Sequence, residues 1–141
     1  VKPAAAKREG DGASPIGAWP VRRVLYRPDK GPPPETGLPV IGLKPEDGWS
    51  DDPAEPSYNR LVPLPCRGSH ERLWREDRLY DLIVELDYND DPVVSGMGSA
   101  IFLHVARAEY APTEGCIALA EADLRAVLRL LGGGSVIEIR A

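Results

Sequence analysis

Residues 104–119 read "HVARAEYAPTEGCIAL". The chain has only two histidines and two cysteines, and this stretch holds one of each. His104 sits near the end of "GMGSAIFLHV" (Gly96 to Val105), which opens with glycines and runs into the composition of a buried strand. Cys116 follows Gly115 after the irregular loop "ARAEYAPTEG". A histidine at a strand end and a cysteine beyond a loop of this length can meet. An imidazole beside a thiol can take its proton and leave a strong nucleophile. Gly115 lets the backbone approach a substrate closely, and the N–H groups of Gly115 and Cys116 could stabilise a developing oxyanion. Thr113 and Glu114 could shape the turn. Two other readings stay open on spacing alone. A lone cysteine is commonly a small buried hydrophobe, and Cys66, His70, His104 and Cys116 make a Cys₂His₂ inventory for zinc. The spacings C-x₃-H and H-x₁₁-C lack the tight pair of a structural zinc site.

The flanks of this stretch set the fold class. Upstream, "LYDLIVELDY" (Leu79 to Tyr88) alternates Leu82, Val84 and Leu86 with Asp81, Glu85 and Asp87, and Ile83 serves a second face. That is a strand period, closed by the turn "NDDP". Downstream, "AEADLRAVLRLLGGG" places Leu124, Val127, Leu128 and Leu131 on one helical stripe, with Gly132 as a C-terminal stop. "SVIEIR" then reads as a short final strand. Most of the 15 prolines fall in residues 1–66, including "GPPPETGLP" from Gly31 to Pro39, so this half reads as loops and short edge strands. One of those strands is "WPVRRVLYR" (Trp19 to Arg27). Ser69 could cap a helical turn through "HERLWRED". The expected fold is mostly β, a sandwich or barrel-like sheet with one helix in the C-terminal half, forming one domain over residues 1–141.

Composition narrows the function classes. With 43% hydrophobic and 28% charged residues the chain is an ordinary globular one. A net charge of −5 with scattered arginines gives no basic stripe for nucleic acid. No apolar run reaches the length of a membrane span. Two cysteines are no disulfide framework for a chain of this size. No starting Met or signal peptide is present, so the chain reads as processed or trimmed.

Three segments, in order, resemble the YkuD-type L,D-transpeptidases. "GDGASPIGAW" (Gly10 to Trp19) is similar to that family's Gly-rich turn and Ser/Thr-Pro-x-Gly-x-aromatic motif. "GSAIFLH" (Gly98 to His104) resembles the strand that carries its histidine, and "TEGCIAL" (Thr113 to Leu119) its Ser/Thr-x-Gly-Cys turn. "YNR" (Tyr58 to Arg60) and "SHERLW" (Ser69 to Trp74) resemble elements of an alphaproteobacterial subgroup.

The resemblance implies a periplasmic or cell-envelope enzyme of peptidoglycan synthesis, without cofactor or metal, whose substrates are stem peptides. Cys116 is then the nucleophile on the diaminopimelate carbonyl of a donor tetrapeptide, and D-Ala leaves. His104 is the base, oriented by a backbone carbonyl just after it, and Gly115 contributes to the oxyanion hole. Substrate contacts are expected from Arg107, Tyr110, Thr113, Asn59, Arg60, His70 and Trp74. The resemblance also implies a carbapenem-sensitive thiol. No protein partner is legible.

Two departures from the family pattern stand out. Only Val105 to Pro112 separate His104 from Thr113, a shorter connection than usual, and Ala118 replaces a customary polar residue. Both point to an altered acceptor channel, and the subgroup is associated with crosslinks to the L-Ala amine of another stem. That amine needs little help from a second base, and none is obvious in the sequence. Two alternatives use the same residues differently: an L,D-carboxypeptidase with water as acceptor, and a non-catalytic, zinc-stabilised wall-binding module.

Overall fold

The computed structural model describes residues Val1 to Ala141. Strands β1 (Lys2–Pro3), β2 (Pro15–Tyr26), β3 (Val40–Gly42), β4 (Asp47–Ser50) and β5 (Leu61–Pro63) occupy the proline-rich half, and β6 (His70–Arg72) follows it. Then come β7 (Leu82–Leu86), β8 (Phe102–Val105), β9 (Ile117–Leu119), helix α1 (Glu121–Leu130) and β10 (Val136–Ile139). The mostly β expectation with one late helix is met.

The long strand is β2, the hub of the main sheet rather than a short edge piece. Its C-terminal part pairs antiparallel with β7 and parallel with β3, while residues 17–20 pair antiparallel with β10. Pro20 is tolerated because it lies just before the β2–β7 ladder, which begins at Val21, and because its neighbour Val21 donates to the Ser135 carbonyl beside β10. The sheet continues β2-β7-β8-β9, with β7 and β8 antiparallel and β8 and β9 parallel. A second, three-stranded sheet runs β5-β4-β6.

The main sheet is buried on both faces. Val24, Leu82, Val84, Leu103, Leu124 and Leu128 form the core between sheet and α1. On the opposite face Leu25, Ile83 and Phe102 pack with Trp49 of β4, Leu73 and Tyr80. Trp49 and Tyr80 both meet the Phe102 ring edge-on, at centroid distances of 5.0 and 6.0 Å. The alternation in β7 therefore does not separate core from solvent. Glu85 and Asp81 are buried too, held by Arg23 and Lys30 respectively.

Helix α1 buries Leu124 and Leu128 of the predicted stripe. Leu124→Ala should lower stability by about 2–5 kcal/mol, measured by urea unfolding, because the site is fully enclosed. A shift well under that range would show that the helix face can collapse onto the sheet. The helix ends on an extended Leu131, and Gly132 is not left-handed. The close approach here belongs to Gly37, where a Cβ would lie 3.1 Å from the Gly132 Cα.

The helical turn expected after Ser69 does not form. Residues 70–72 are strand β6, because Trp49 and Glu71 pair in register and Ser69 Oγ donates to Asp51 at 2.6 Å rather than capping. No helix is long and apolar enough to cross a membrane.

Candidate active site

Strands β8 and β9 run parallel with His104 opposite Ala118, which sets Cys116, just before β9, level with Phe102 and on the same face of the sheet as His104. Both side chains line one cleft of about 420 Å³. His104 is 2% exposed, and its ring stacks edge-on to Tyr80 at 5.6 Å. Nδ1 lies 2.8 Å from the Val105 carbonyl oxygen. A carbonyl only accepts, so Nδ1 carries the proton and Nε2 is the basic nitrogen. Burial lowers the His104 pKa below the ordinary imidazole value, which keeps the ring neutral at pH 7.

The Cys116 thiol donates to the Ala100 carbonyl at 3.1 Å. Burial pushes its pKa up to about 12, and the negative charges of Glu71 and Glu114 act in the same direction. The resting pair is thus neutral thiol and neutral imidazole, not an ion pair. In such a pair a thiolate is made only by moving the thiol proton to a base.

The turn that presents Cys116 is fixed from three sides. Thr113 Oγ1 donates to the Cys116 carbonyl at 2.6 Å, and Ser14 Oγ donates to the Gly115 carbonyl at 2.7 Å. Gly115 has φ +103°, and a Cβ there would stand 2.8 Å from the Ala13 carbonyl oxygen. The N–H groups of Gly115 and Cys116 have no protein acceptor. Gly115→Ala should cost at least about 1–3 kcal/mol through strain at this turn. Its urea midpoint should fall accordingly, and an unchanged midpoint would mean that Ala13 yields freely.

Of the expected substrate contacts, Arg107 and Thr113 reach the cleft, whereas Asn59, Arg60, His70 and Trp74 do not. Asn59 is buried, and its amide is spent inside the protein. Its Oδ1 accepts from Trp49 Nε1 and the Ala100 N–H, and its Nδ2 donates to the carbonyls of Tyr88 and Asn89. Since Ala100 in turn receives the Cys116 thiol, Asn59 anchors the backbone on which that thiol rests. Arg60 pairs with Asp90 at 2.7 Å. His70 is exposed on β6, its Nδ1 3.1 Å from the Gly68 carbonyl. Trp74 packs under the Arg27 guanidinium, 3.8 Å from its ring centroid. Tyr110 borders a neighbouring groove, and its hydroxyl accepts from the Ala120 N–H at the start of α1. The side chains of Cys66, His70, His104 and Cys116 do not assemble, and no cluster of three or more His, Cys, Asp or Glu is arranged to hold a metal.

The cleft also contains residues that no motif marked. Glu71 from β6, Arg75 and Tyr80 form one wall, and Lys7, Glu9 and Ser99 another. Glu71 accepts from the Tyr80 hydroxyl at 3.0 Å. No second base is obvious in the sequence, and in the fold the Glu71 carboxyl group faces the same space as His104. Only the pairing of Trp49 with Glu71 across two three- and four-residue strands brings it there.

A model of the YkuD L,D-transpeptidase catalytic domain matches residues 2–139. The chain belongs to this family. The match spans nearly the whole sequence, so the sheet, the cleft and the Gly-Cys turn all lie within the L,D-transpeptidase domain. No curated protein and no solved structure is significantly similar to the chain in sequence.

Proposed function

We propose that this L,D-transpeptidase domain forms a thioester at Cys116 with the diaminopimelate carbonyl of a tetrapeptide stem and passes the acyl group to an amine. The observation that carries this is Cys116 lining one cleft with His104, whose Nδ1 is held by the Val105 carbonyl, on one face of two adjacent parallel strands. As Sγ bonds to the carbonyl carbon, its proton passes to His104 Nε2. The oxyanion forms against the unpaired N–H groups of Gly115 and Cys116. The C–N bond then breaks, and His104 returns the proton to the departing D-Ala amine. A thioester suits amine transfer because an amine competes well with water for it.

For the acceptor, we infer the L-Ala α-amine of another stem. Ala118, opposite His104 on β9, offers no polar group to guide a long side-chain amine. An α-amine has a pKa near 8, against about 10.4 for a lysine-like amine, so more of it is unprotonated at neutral pH. The site of action implied by this chemistry is the cell envelope.

Incubation with purified disaccharide tetrapeptides, followed by tandem mass spectrometry, tests both statements. The expected product is a dimer with free D-Ala, bonded from diaminopimelate to an L-Ala amine. Tripeptide alone, with excess acceptor present, would make the domain a carboxypeptidase. Dimers joined through diaminopimelate side chains would overturn the acceptor assignment while keeping the thioester.

A further inference from the structure

Transfer to an amine and transfer to water differ in their proton ledger. A thioester plus water gives an acid and a thiol, and every proton is placed. An acceptor that arrives as an ammonium has to shed two protons. One returns to the Cys116 sulfur by way of His104 as the C–S bond breaks. The other has to leave before the nitrogen can attack, and His104, neutral again once D-Ala has gone, has to stay vacant for the proton that it hands to the sulfur. A site that crosslinks through a charged amine therefore needs another acceptor of a proton within reach of that nitrogen.

Glu71 is placed for it. Its carboxyl lines the cleft that holds Cys116 and His104. One oxygen, Oε1, takes the Tyr80 hydroxyl at 3.0 Å, and the same Tyr80 ring abuts His104 at 5.6 Å. No lysine, arginine or histidine nitrogen lies within ion-pair distance of the carboxylate. The nearby Arg75 is occupied by Asp77, through Nε at 2.8 Å and Nη2 at 2.6 Å. The strand pairing of Glu71 with Trp49 fixes its backbone over the core.

The charges acting on Glu71 are those of Arg75, Asp51 and Glu114, with the Tyr80 hydroxyl as donor, and Lys7, Glu9 and Arg107 line the same cleft. Burial raises its pKa above the ordinary carboxyl value, Tyr80 partly offsets this, and Asp51 adds to the rise. Tyr80 itself stays protonated, since burial and the neighbouring Glu71 charge both push its pKa up. A carboxylate shifted this way, still without a cation of its own, is a good partner for an ammonium and an adequate base for one of its protons.

We propose that Glu71, positioned by Tyr80, binds the ammonium of the acceptor and takes its first proton, so that it sets the choice between amine transfer and hydrolysis. This rests on the thioester at Cys116. In the step, the N–H bond breaks toward the Glu71 carboxylate and leaves a neutral amine. That nitrogen attacks the thioester carbon, and His104 takes the second proton and hands it to the sulfur as the C–S bond breaks. Glu71 then releases its proton to solvent. Atoms and charge balance without a further reactant.

The test is Glu71→Gln, which keeps the shape and can still accept from Tyr80. Tetrapeptide donor and a stem-peptide amine acceptor are supplied at pH 7, and dimer and tripeptide are counted from the same reaction. The expected result is a dimer-to-tripeptide ratio lower by about tenfold, since about one tenth of an amine with a pKa near 8 is already neutral at pH 7. Hydroxylamine, a nucleophile that is largely uncharged at this pH, should restore the ratio of transfer to hydrolysis to the wild-type value. Glu71→Asp, which keeps the carboxylate, should retain part of the dimer yield. A ratio equal to wild type, or a loss that hydroxylamine does not rescue, would overturn the proposal. Intact mass of the Cys116 acyl adduct separates the two levels. An adduct with a normal product ratio defeats Glu71 alone, whereas a wild-type protein that never forms the adduct defeats the thioester reading.

Discussion

Cys116→Ala should lower the rate of crosslink formation by about 10⁴-fold or more, to the level of the uncatalysed background, and abolish acylation by a carbapenem. No other sulfur lines the cleft: Cys66 lies outside it. Cys66→Ser should accordingly keep wild-type turnover, and the two cysteines should not be joined, since a nucleophile in a disulfide is inactive. The alanine variant should fold, because Cys116 is half-buried and its turn is held by Thr113 and Ser14 through backbone carbonyls. Carbapenem adducts read by intact mass, with each variant in parallel, check this. An adduct that survives Cys116→Ala and disappears in Cys66→Ser would move the chemistry away from the Gly-Cys turn.

His104→Ala should lower acylation by about 10²–10⁴-fold at pH 7, and the pH profile should change shape. Burial pushes the thiol pKa well above neutrality, so thiolate is scarce at pH 7. The wild-type rate therefore depends on a neutral His104. Burial depresses the His104 pKa, so the ring stays neutral down to a pH below the ordinary imidazole value near 6.5. The wild-type profile should be flat above that value and fall on the acid side through a midpoint lower than 6.5. Without the imidazole, attack waits for thiolate made by hydroxide, and the residual rate should rise about tenfold per pH unit. His70→Ala, changing an exposed ring on β6, should leave the profile as it is. An acid limb at or above 6.5, or a flat profile for His104→Ala, would contradict a neutral pair.

These two residues could be found in the sequence because the chemistry is carried by rare residue types in a patterned setting. A histidine ends a Gly-opened apolar run, and a glycine stands where a Cβ would strike Ala13. Helix α1 was equally legible, since Leu124 and Leu128 recur at the helical period and face the sheet. Strand β7 was legible as a strand but not in its packing. Asp81 and Glu85 alternate with the apolar residues in the sequence, yet both are interior and paired with Lys30 and Arg23 from distant segments. The small sheet was not legible at all. Strands of three and four residues have no period of their own, and "HERLWRED" satisfies a helical turn as well as a strand. Its direction is decided by Trp49 packing on Phe102, which only the folded chain brings together. That same sheet delivers Glu71, so a cleft carboxyl was hidden for the same reason. Asn59 illustrates the converse. The resemblance offered it as a substrate contact, but it lies outside the cleft and ties Trp49, Ala100 and the Tyr88–Asn89 turn together.

The central claim is a covalent acyl-enzyme at Cys116, and rapid-quench intact mass with peptide mapping tests it most directly. Wild-type protein mixed with a tetrapeptide donor and quenched before turnover should gain the mass of the tripeptide acyl group, with one equivalent of D-Ala released and the adduct mapped to Cys116. Dimers accumulating with no adduct at any time, or an adduct mapped to Cys66, would contradict it.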